Sequence, residues 1–161
     1  MITRVLFICH GNICRSPMAE FILKHITTRL RQSTNFIISS AATSTEEIGN
    51  PVHHGTQKIL HRLGISAEGK YAVQFKKADY DQYDYIIGMD SMNIKNIKRI
   101  SGCNDRDEKV YRLLEFAGEH RDVADPWYTG DFETTYRDVV KGCIGLLEHL
   151  GIDCEGIKDM I

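Results

Sequence analysis

Residues 5–17 read VLFICHGNICRSP: an apolar run, a cysteine, a short loop and the start of a helix. The four residues before the cysteine are all large and apolar, which indicates a buried strand. A strand that passes through a tight loop into a helix directs backbone N–H groups and the positive end of the helix dipole toward one point. The stretch therefore predicts an anion site beside Cys9, at the carboxyl end of a strand.

The residue types in this loop suit the transfer of a phosphoryl group. Cys9 is the candidate nucleophile, because a thiolate attacks phosphorus and leaves again, and a helix start beside a guanidinium favours the thiolate. Arg15 closes the loop and offers a planar fork to two phosphate oxygens. We expect Ser16 to donate a hydrogen bond to the sulfur. The predicted phosphate-binding residues, which act mainly through backbone N–H groups, are His10, Gly11, Asn12, Ile13, Cys14 and Arg15.

Beyond this loop, the sequence resembles the low molecular weight protein tyrosine phosphatases along nearly the whole chain. The further landmarks, in the order of that family, are Met18-Ala19-Glu20, Ser40-Ala41-Ala42-Thr43, Ile48-Gly49-Asn50-Pro51, Asp84-Tyr85-Ile86-Ile87 with Met89-Asp90, and Asp125-Pro126. The resemblance implies hydrolysis of phosphomonoesters through a phosphorylated Cys9, with Arg15 binding phosphate and Asp125 donating a proton. It also implies that Asn12, Ser16 and Ser40 hold the loop in shape.

The alternation of short apolar segments with helical patterns predicts an α/β fold. We expect a three-layer, doubly wound, four-stranded parallel sheet with helices on both faces, formed by one domain over residues 1–161. The predicted strands are 3–8, 36–40, 85–88 and 110–113, and the predicted helices are 17–32, 54–63, 77–82, 91–100 and 132–150. Gly64 and Gly151 are interpreted as helix ends.

A thiolate that displaces a phenol needs an acid to protonate the departing oxygen. Asp125 is the candidate, on a polar connection before the last helix, where Pro126 restricts the backbone. Taken alone, the Asp-Pro pair is also typical of an ordinary turn. The predicted substrate cleft consists of Ile13, Glu46, Trp127 and Tyr128, with the two aromatic residues walling a slot for a phenyl ring. The alternative for Trp127 is a cap on the core beneath the loop.

Near the predicted site, Lys70 departs from the pattern of the family, and Glu20 and Asp90 are each open to two interpretations. Members of the family usually carry a His-x-Ala-Arg segment where this chain reads Lys70-Tyr71-Ala72-Val73, so the histidine expected to support Asn12 and Ser40 is replaced by Lys70. Glu20 either bonds toward Arg15 or is solvated. Asp90 either steadies the site or caps the helix that begins at Ser91.

Composition narrows the class of protein. The chain of 161 residues has a net charge of −2, 42% hydrophobic residues and no basic patch with interleaved aromatics, so we expect no nucleic-acid partner. No apolar run reaches the ~18 residues of a membrane span, and the start lacks a secretory signal, so we expect no membrane partner and a cytoplasmic location. A monomer or weak dimer is expected.

The five scattered cysteines argue against a disulfide framework and a structural metal site, and we expect neither a metal ion nor another cofactor. Cys14 lies in the same loop as Cys9. It is either a partner that protects Cys9 by oxidation to a disulfide or a residue that fills space under the loop.

The function predicted is hydrolysis of phosphotyrosine in proteins, and of aryl phosphates, with release of inorganic phosphate. A phosphoarginine phosphatase is the nearest alternative, but the apolar Ile13 suits a phenyl ring better. An arsenate reductase needs a further cysteine pair, and the middle region contains only Cys103. A phosphoryl carrier has no use for Asp125, and a phosphoprotein-binding module commonly lacks the nucleophile.

Overall fold

The computed structural model describes residues 1–160 and contains a four-stranded, all-parallel sheet. The strands are β1 (Thr3–Cys9), β2 (Phe36–Ala42), β3 (Tyr85–Gly88) and β4 (Val110–Arg112), in the spatial order β2-β1-β3-β4. β1 therefore lies in the interior of the sheet, paired with β2 on one side and β3 on the other. Its carboxyl end, where Cys9 lies, is flanked by the ends of two neighbouring strands.

Helices cover both faces of the sheet, which confirms the predicted fold class. They are α1 (Arg15–Arg29), α2 (His54–Arg62), α3 (Ser91–Ser101), α4 (Pro126–Thr129) and α5 (Phe132–His149). Short 3-10 helices lie at Ser33–Asn35, Lys77–Gln82, Leu113–Ala117 and Glu155–Met160. α1, α2 and α5 share one hydrophobic core on one face, and α3 packs on the other with the 3-10 helix Lys77–Gln82. Within residues 1–160, no helix is both long and apolar enough to cross a membrane.

The side chains of β1 alternate between the two cores. Val5, Phe7 and Cys9 belong to the core under α1 and α5, whereas Leu6 and Ile8 belong to the core under α3. All five are buried, which explains the continuous apolar run in the sequence. Burial of each large apolar side chain stabilises the fold by about 1.5–3 kcal/mol. The same alternation places Cys9 on the face of the sheet where α1 begins.

The helix boundaries differ from prediction where the backbone conformation decides them. α1 ends at Arg29 rather than residue 32, because Arg31 adopts a left-handed conformation with φ of 59° and the Gln32 N–H bonds back to the Thr27 carbonyl. The predicted helix at 77–82 is a 3-10 helix, and α4 was not predicted. Gly64 and Gly151, with φ of 74° and 85°, follow α2 and α5 as predicted.

Candidate active site

The loop between β1 and α1 turns its peptide groups around the Cys9 sulfur. The carbonyl oxygens of Cys9, His10 and Ile13 accept hydrogen bonds of 2.9–3.0 Å from backbone N–H groups outside the loop. In the opposite direction, the Asn12 N–H donates to Cys9 Sγ at 3.2 Å. No side chain caps the first turn of α1, whose N–H groups therefore add to the positive potential at the sulfur.

Asn12 holds the loop from the inside. Its φ of 59° lies in the left-handed region, which asparagine tolerates better than most residues. Its buried side-chain amide donates to Ser16 Oγ at 2.8 Å and to Ser40 Oγ at 2.9 Å, and its oxygen accepts from the Val73 N–H at 3.1 Å. Ser16 Oγ in turn lies 3.0 Å from Cys9 Sγ. The three residues predicted to support the loop are thus joined to one another and to the sulfur.

A buried ion pair lies beneath this group. Ser40 Oγ donates to Glu20 Oε1 at 2.6 Å, so the two sequence interpretations of Glu20, a bond to Arg15 or solvation, are both wrong. Lys70 Nζ donates to the Ser40 carbonyl oxygen at 3.0 Å and lies 3.6 Å from Glu20 Oε1. Burial lowers the pKa of Lys70, and Glu20 opposes part of that shift. The lysine that stands in place of the expected histidine is therefore part of the loop's support.

Arg15 joins the loop to the carboxyl end of β3 and to the segment before α5. Its buried guanidinium donates from Nη1 to Asp90 Oδ2 at 2.8 Å and to the Val123 carbonyl oxygen at 3.0 Å, and from Nη2 to Asp125 Oδ2 at 3.3 Å. Burial lowers the pKa of Arg15, but the negative charges of Cys9, Asp125 and Asp90 outweigh burial and raise it above the ordinary value. The group remains a cation at every pH of interest.

Asp90 has both of the roles that the sequence left open. Its Oδ1 accepts from the Asn93 N–H at 2.7 Å and caps α3, while its Oδ2 accepts from Arg15. The Asn93 side chain completes the cap by accepting from the Asp90 N–H at 3.2 Å. Asp90 therefore both caps the start of α3 and orients the Arg15 guanidinium.

Asp125 is the N-cap of α4 and faces the cleft. Its Oδ1 accepts from the Trp127 N–H at 3.0 Å, and its Oδ2 accepts from Arg15. The segment leading to it is anchored where the Val123 N–H donates to the Met89 carbonyl oxygen at 2.8 Å. These bonds fix the orientation of the Asp125 carboxyl group. A quarter of its side chain is exposed, so the group also remains accessible to solvent.

These elements enclose a cleft of about 330 Å³. The four residues predicted to form a substrate cleft, Ile13, Glu46, Trp127 and Tyr128, all line it. Glu47 also lines the cleft, although the sequence did not suggest this residue. The full lining is Cys9, His10, Gly11, Ile13, Cys14, Arg15, Glu46, Glu47, Asp125, Trp127 and Tyr128. Trp127 and Tyr128 are 59% and 85% exposed, so Trp127 does not cap the core. At the rim, the exposed His10 Nε2 lies 2.6 Å from Glu46 Oε2 and joins two loops.

His53 supports the aromatic wall that Trp127 and Tyr128 form, and the sequence did not predict this role. The one sequence feature that could have pointed to it is the adjacent His53-His54 pair. The His53 ring stacks on Phe132 at 5.1 Å between centroids and meets Trp127 edge-on at 5.9 Å. The backbone N–H of His53 donates to the Ile13 carbonyl oxygen at 2.9 Å, and its ring Nδ1 accepts from the Gly55 N–H at 3.0 Å. Burial lowers the pKa of His53, which favours the neutral ring that this last bond requires.

Cys14 is buried against Ile13, Ala72 and Phe132. Burial, with the nearby Cys9 charge, raises the pKa of its thiol to about 12, so Cys14 is a protonated thiol that fills space under the loop. Its oxidation with Cys9 stays a prediction. Within the described residues, no group of three or more His, Cys, Asp or Glu side chains is arranged to hold a metal ion.

Both the sequence and the fold of this chain are similar to those of known proteins. Residues 4–155 match the family model described as low molecular weight phosphotyrosine protein phosphatase. The sequence is 42% identical over 148 residues to YfkJ of Bacillus subtilis, named a low molecular weight protein-tyrosine-phosphatase, with coverage of 91% of this chain and 94% of that one. The crystal structure of YfkJ superposes with a TM-score of 0.89, covering 94% of this chain and 96% of that one.

Two further solved structures are similar over most of the chain. SP-PTP of Streptococcus pyogenes, a low molecular weight protein tyrosine phosphatase, is 46% identical with a TM-score of 0.83 and covers 98% of both chains. A Drosophila arginine phosphatase is 26% identical with a TM-score of 0.83, covering 92% of this chain and 98% of that one.

Proposed function

The chain belongs to the low molecular weight protein tyrosine phosphatase family, and we propose that its Cys9, Arg15 and Asp125 hydrolyse phosphotyrosine in proteins through a phosphocysteine intermediate. The observation that carries the proposal is the convergence of a thiol, a guanidinium and a carboxyl group on one cleft of about 330 Å³. A nucleophile, an oxyanion-stabilising cation and a general acid are the three parts that this reaction needs.

In the first step, the Cys9 thiolate attacks phosphorus and an S–P bond forms as the P–O bond to the phenol breaks. The loop N–H groups and the Arg15 fork hold the equatorial oxygens, where they stabilise the charge of the transferring group. Asp125 begins protonated and gives its proton to the departing phenolate oxygen. The products of this step are the free phenol and phosphocysteine.

In the second step, Asp125, now a carboxylate, accepts a proton from a water molecule that attacks phosphorus. The S–P bond breaks, inorganic phosphate leaves, and Cys9 returns as a thiolate. Ser16 Oγ, 3.0 Å from Cys9 Sγ, is placed to donate a hydrogen bond to the sulfur when it is the leaving group. Asp125 thus serves both steps, first as acid and then as base.

The apolar and aromatic lining of the cleft favours an aryl ester over other phosphomonoesters. The apolar Ile13 and the aromatic Trp127 and Tyr128 line the cleft, so a phenyl ring would replace water against apolar surface. The apolar Ile13 offers no hydrogen-bond acceptor to the guanidinium of a phosphoarginine side chain, and the acceptors in the lining are the carboxylates of Glu46, Glu47 and Asp125. Tyrosine-phosphorylated proteins are therefore the substrates we propose, and phosphoarginine proteins are the second candidate.

The test compares turnover of peptides that carry phosphotyrosine, phosphoserine or phosphoarginine at one position. We expect the highest kcat/KM with phosphotyrosine, and the C9S variant to release no phosphate above background. Turnover that C9S leaves unchanged would overturn the assignment of the nucleophile. Faster hydrolysis of the phosphoarginine peptide would replace the substrate class and leave the chemistry intact.

Three broader features of the protein are part of the proposal. A single phosphatase domain over residues 1–161 is supported by the family match to residues 4–155. A cytoplasmic location is supported by the five free cysteines among the described residues, as expected of a reducing compartment. A monomer or weak dimer stays a prediction that sedimentation equilibrium can check.

A further inference from the structure

Thr135 is a buried polar residue near the start of α5, and the mechanism above makes no use of it. A hydroxyl group shielded from water needs a partner, and within a helix the ordinary partner is the carbonyl oxygen four residues earlier. For Thr135 that oxygen belongs to Asp131 and lies 3.4 Å from Oγ1. The shorter bond, at 3.1 Å, leaves the helix and reaches the Ala124 carbonyl oxygen.

The single hydroxyl proton of Thr135 serves the Ala124 carbonyl oxygen. Asp131 is the N-cap of α5, so its carbonyl oxygen accepts the first backbone hydrogen bond of that helix. Ala124 lies in a segment without regular secondary structure, which has no such ladder of backbone bonds. The shorter distance and the absence of a helical donor both direct the proton to Ala124.

This bond acts on the peptide group that carries the candidate general acid. The Ala124 carbonyl and the Asp125 nitrogen belong to one planar unit, so a bond to the oxygen fixes the plane from which Asp125 projects. On the other side of Asp125, Pro126 is buried and its ring sets its own φ. The backbone of Asp125 is therefore held from both sides.

The side-chain bond between Asp125 and Arg15 changes during the proposed reaction, whereas the backbone bond does not. Asp125 Oδ2 accepts from Arg15 Nη2 at 3.3 Å. In the first step Asp125 carries a proton and the Arg15 fork binds phosphate, so this bond weakens. The bond from Thr135 to the Ala124 carbonyl oxygen involves neither the phosphate nor the acidic proton, and it persists through both steps.

α5 holds the same segment at a second place. Arg121 donates from Nη1 and Nη2 to the two carboxylate oxygens of Asp138, at 3.0 and 2.8 Å. Asp138 follows Thr135 by three residues, so both lie on one face of α5. α5 also shares its core with α1, which begins at Arg15. The packing of α5 therefore sets where Asp125 lies relative to the phosphate-binding loop.

We propose that Thr135 is a positioning residue for the general acid: its hydroxyl fixes the Ala124–Asp125 peptide group so that the Asp125 carboxyl group faces the departing oxygen. The proposal rests on the proposed function, in which Asp125 protonates that oxygen. Without the hydroxyl the peptide group rotates more freely, and the carboxyl group spends less time within reach of the leaving group. Esters whose leaving group needs a proton are then hydrolysed more slowly, and esters whose leaving group needs none are spared.

The experiment compares kcat/KM for phenyl phosphate and for dinitrophenyl phosphate in the T135V variant, because valine has the shape of threonine without the hydroxyl. A hydrogen bond between neutral groups is worth about three- to tenfold in an equilibrium constant. We expect kcat/KM for phenyl phosphate to fall about three- to tenfold, and that for dinitrophenyl phosphate to stay within about twofold of the wild type. T135S keeps the hydroxyl and should stay within about twofold of the wild type on both esters.

T27V is the matched control, because Thr27 is an equally buried threonine whose hydroxyl bonds within its own helix. Its Oγ1 donates to the Leu23 carbonyl oxygen at 2.9 Å in α1. T27V should leave the ratio of the two kcat/KM values within about twofold of the wild type. In a D125N background, T135V should have no further effect on phenyl phosphate, because the group that Thr135 positions is no longer an acid.

A T135V variant with the wild-type ratio of the two kcat/KM values, whether both are unchanged or both fall in parallel, would overturn the proposal. An undiminished T135V effect in the D125N background would also overturn it. Circular dichroism checks folding, and T135A, for which we expect the same selective loss, decides the matter if T135V does not fold.

Failure of the proposed function has a different signature. In that case the wild type hydrolyses neither ester, or D125N itself loses activity on both equally, and the positioning role of Thr135 falls with it. If D125N shows the selective loss on phenyl phosphate and T135V does not, Asp125 is the general acid and only the role of Thr135 is wrong.

Discussion

Asp90 offers the sharpest test of how the site is held, because its two carboxylate oxygens have separate tasks. Oδ1 accepts from the Asn93 N–H and caps α3, and Oδ2 accepts from the buried Arg15 guanidinium at 2.8 Å. The D90A variant removes both bonds. Arg15 keeps its bonds to the Val123 carbonyl oxygen and to Asp125 Oδ2, at 3.0 and 3.3 Å, but its guanidinium loses the shorter bond to Asp90 that orients it.

The expected magnitudes follow from the two bonds. Loss of an aspartate cap costs about 1 kcal/mol, and loss of a hydrogen bond to a charged group costs about 1.5–3 kcal/mol. Asp90 is 20% exposed, and water replaces part of the second term, so we expect D90A to lower the free energy of unfolding by about 2–3 kcal/mol. A guanidinium that no longer points at the phosphate should lower kcat/KM for phenyl phosphate about tenfold to a hundredfold.

The matched control is D131A. Asp131 caps α5 by accepting from the Thr134 N–H at 3.0 Å and from the Thr134 hydroxyl at 2.7 Å. It is a surface cap, so D131A should lose less stability than D90A and keep the wild-type kcat/KM. Urea unfolding followed by circular dichroism gives the free energy of unfolding, and steady-state kinetics on the same preparations give kcat/KM. If kcat/KM of D90A stays within about twofold of the wild type, Asp90 does not position Arg15.

Three further outcomes are expected. D125N removes the proton donor, so kcat/KM for phenyl phosphate, which reports the step that releases the phenol, should fall about 10²- to 10⁴-fold, with a much smaller loss for dinitrophenyl phosphate, whose leaving group needs no proton. W127A removes the exposed aromatic wall, so KM for phenyl phosphate should rise about two- to tenfold while KM for a small alkyl phosphate is unchanged. The Arg62–Glu133 pair, at 2.7 Å, holds the pKa of Glu133 below its ordinary 4.5. It therefore stabilises the fold above that pH and is lost as the pH falls through the lowered value, so R62M should flatten the acid side of a plot of urea midpoint against pH.

Each of these three predictions has an outcome that would contradict it. Equal losses of kcat/KM on both esters in D125N would show that Asp125 does not protonate the leaving group. A W127A variant whose two KM values rise in parallel would remove Trp127 from the aryl slot. An R62M protein with the same acid slope as the wild type would show that the Arg62–Glu133 pair adds nothing to stability.

The sequence by itself determined the nucleophilic loop and the architecture that presents it. Strand, loop and helix are contiguous between Thr3 and Arg29, so their geometry depends on neighbouring residues and local backbone preferences. The alternation of Val5 and Phe7 with Leu6 and Ile8 follows from the two-residue period of a strand. Cys9 was foreseeable from the local pattern of strand, loop and helix, whereas Asp125 was identified through the family resemblance, because an Asp-Pro pair alone is also typical of a turn.

Only the tertiary structure decided which partners hold those residues in place. Arg15 bonds to Asp90 and Val123, 75 and 108 positions away, and Lys70 bonds to Ser40 across 30 positions. A charged side chain has many partners of suitable chemistry in the sequence, and the choice among them depends on which atoms the packed sheet brings within 3 Å. For the same reason Glu20, on a helix that the sequence predicted, proved to be a buried acceptor: burial is a property of the assembled layers, and no local pattern records it.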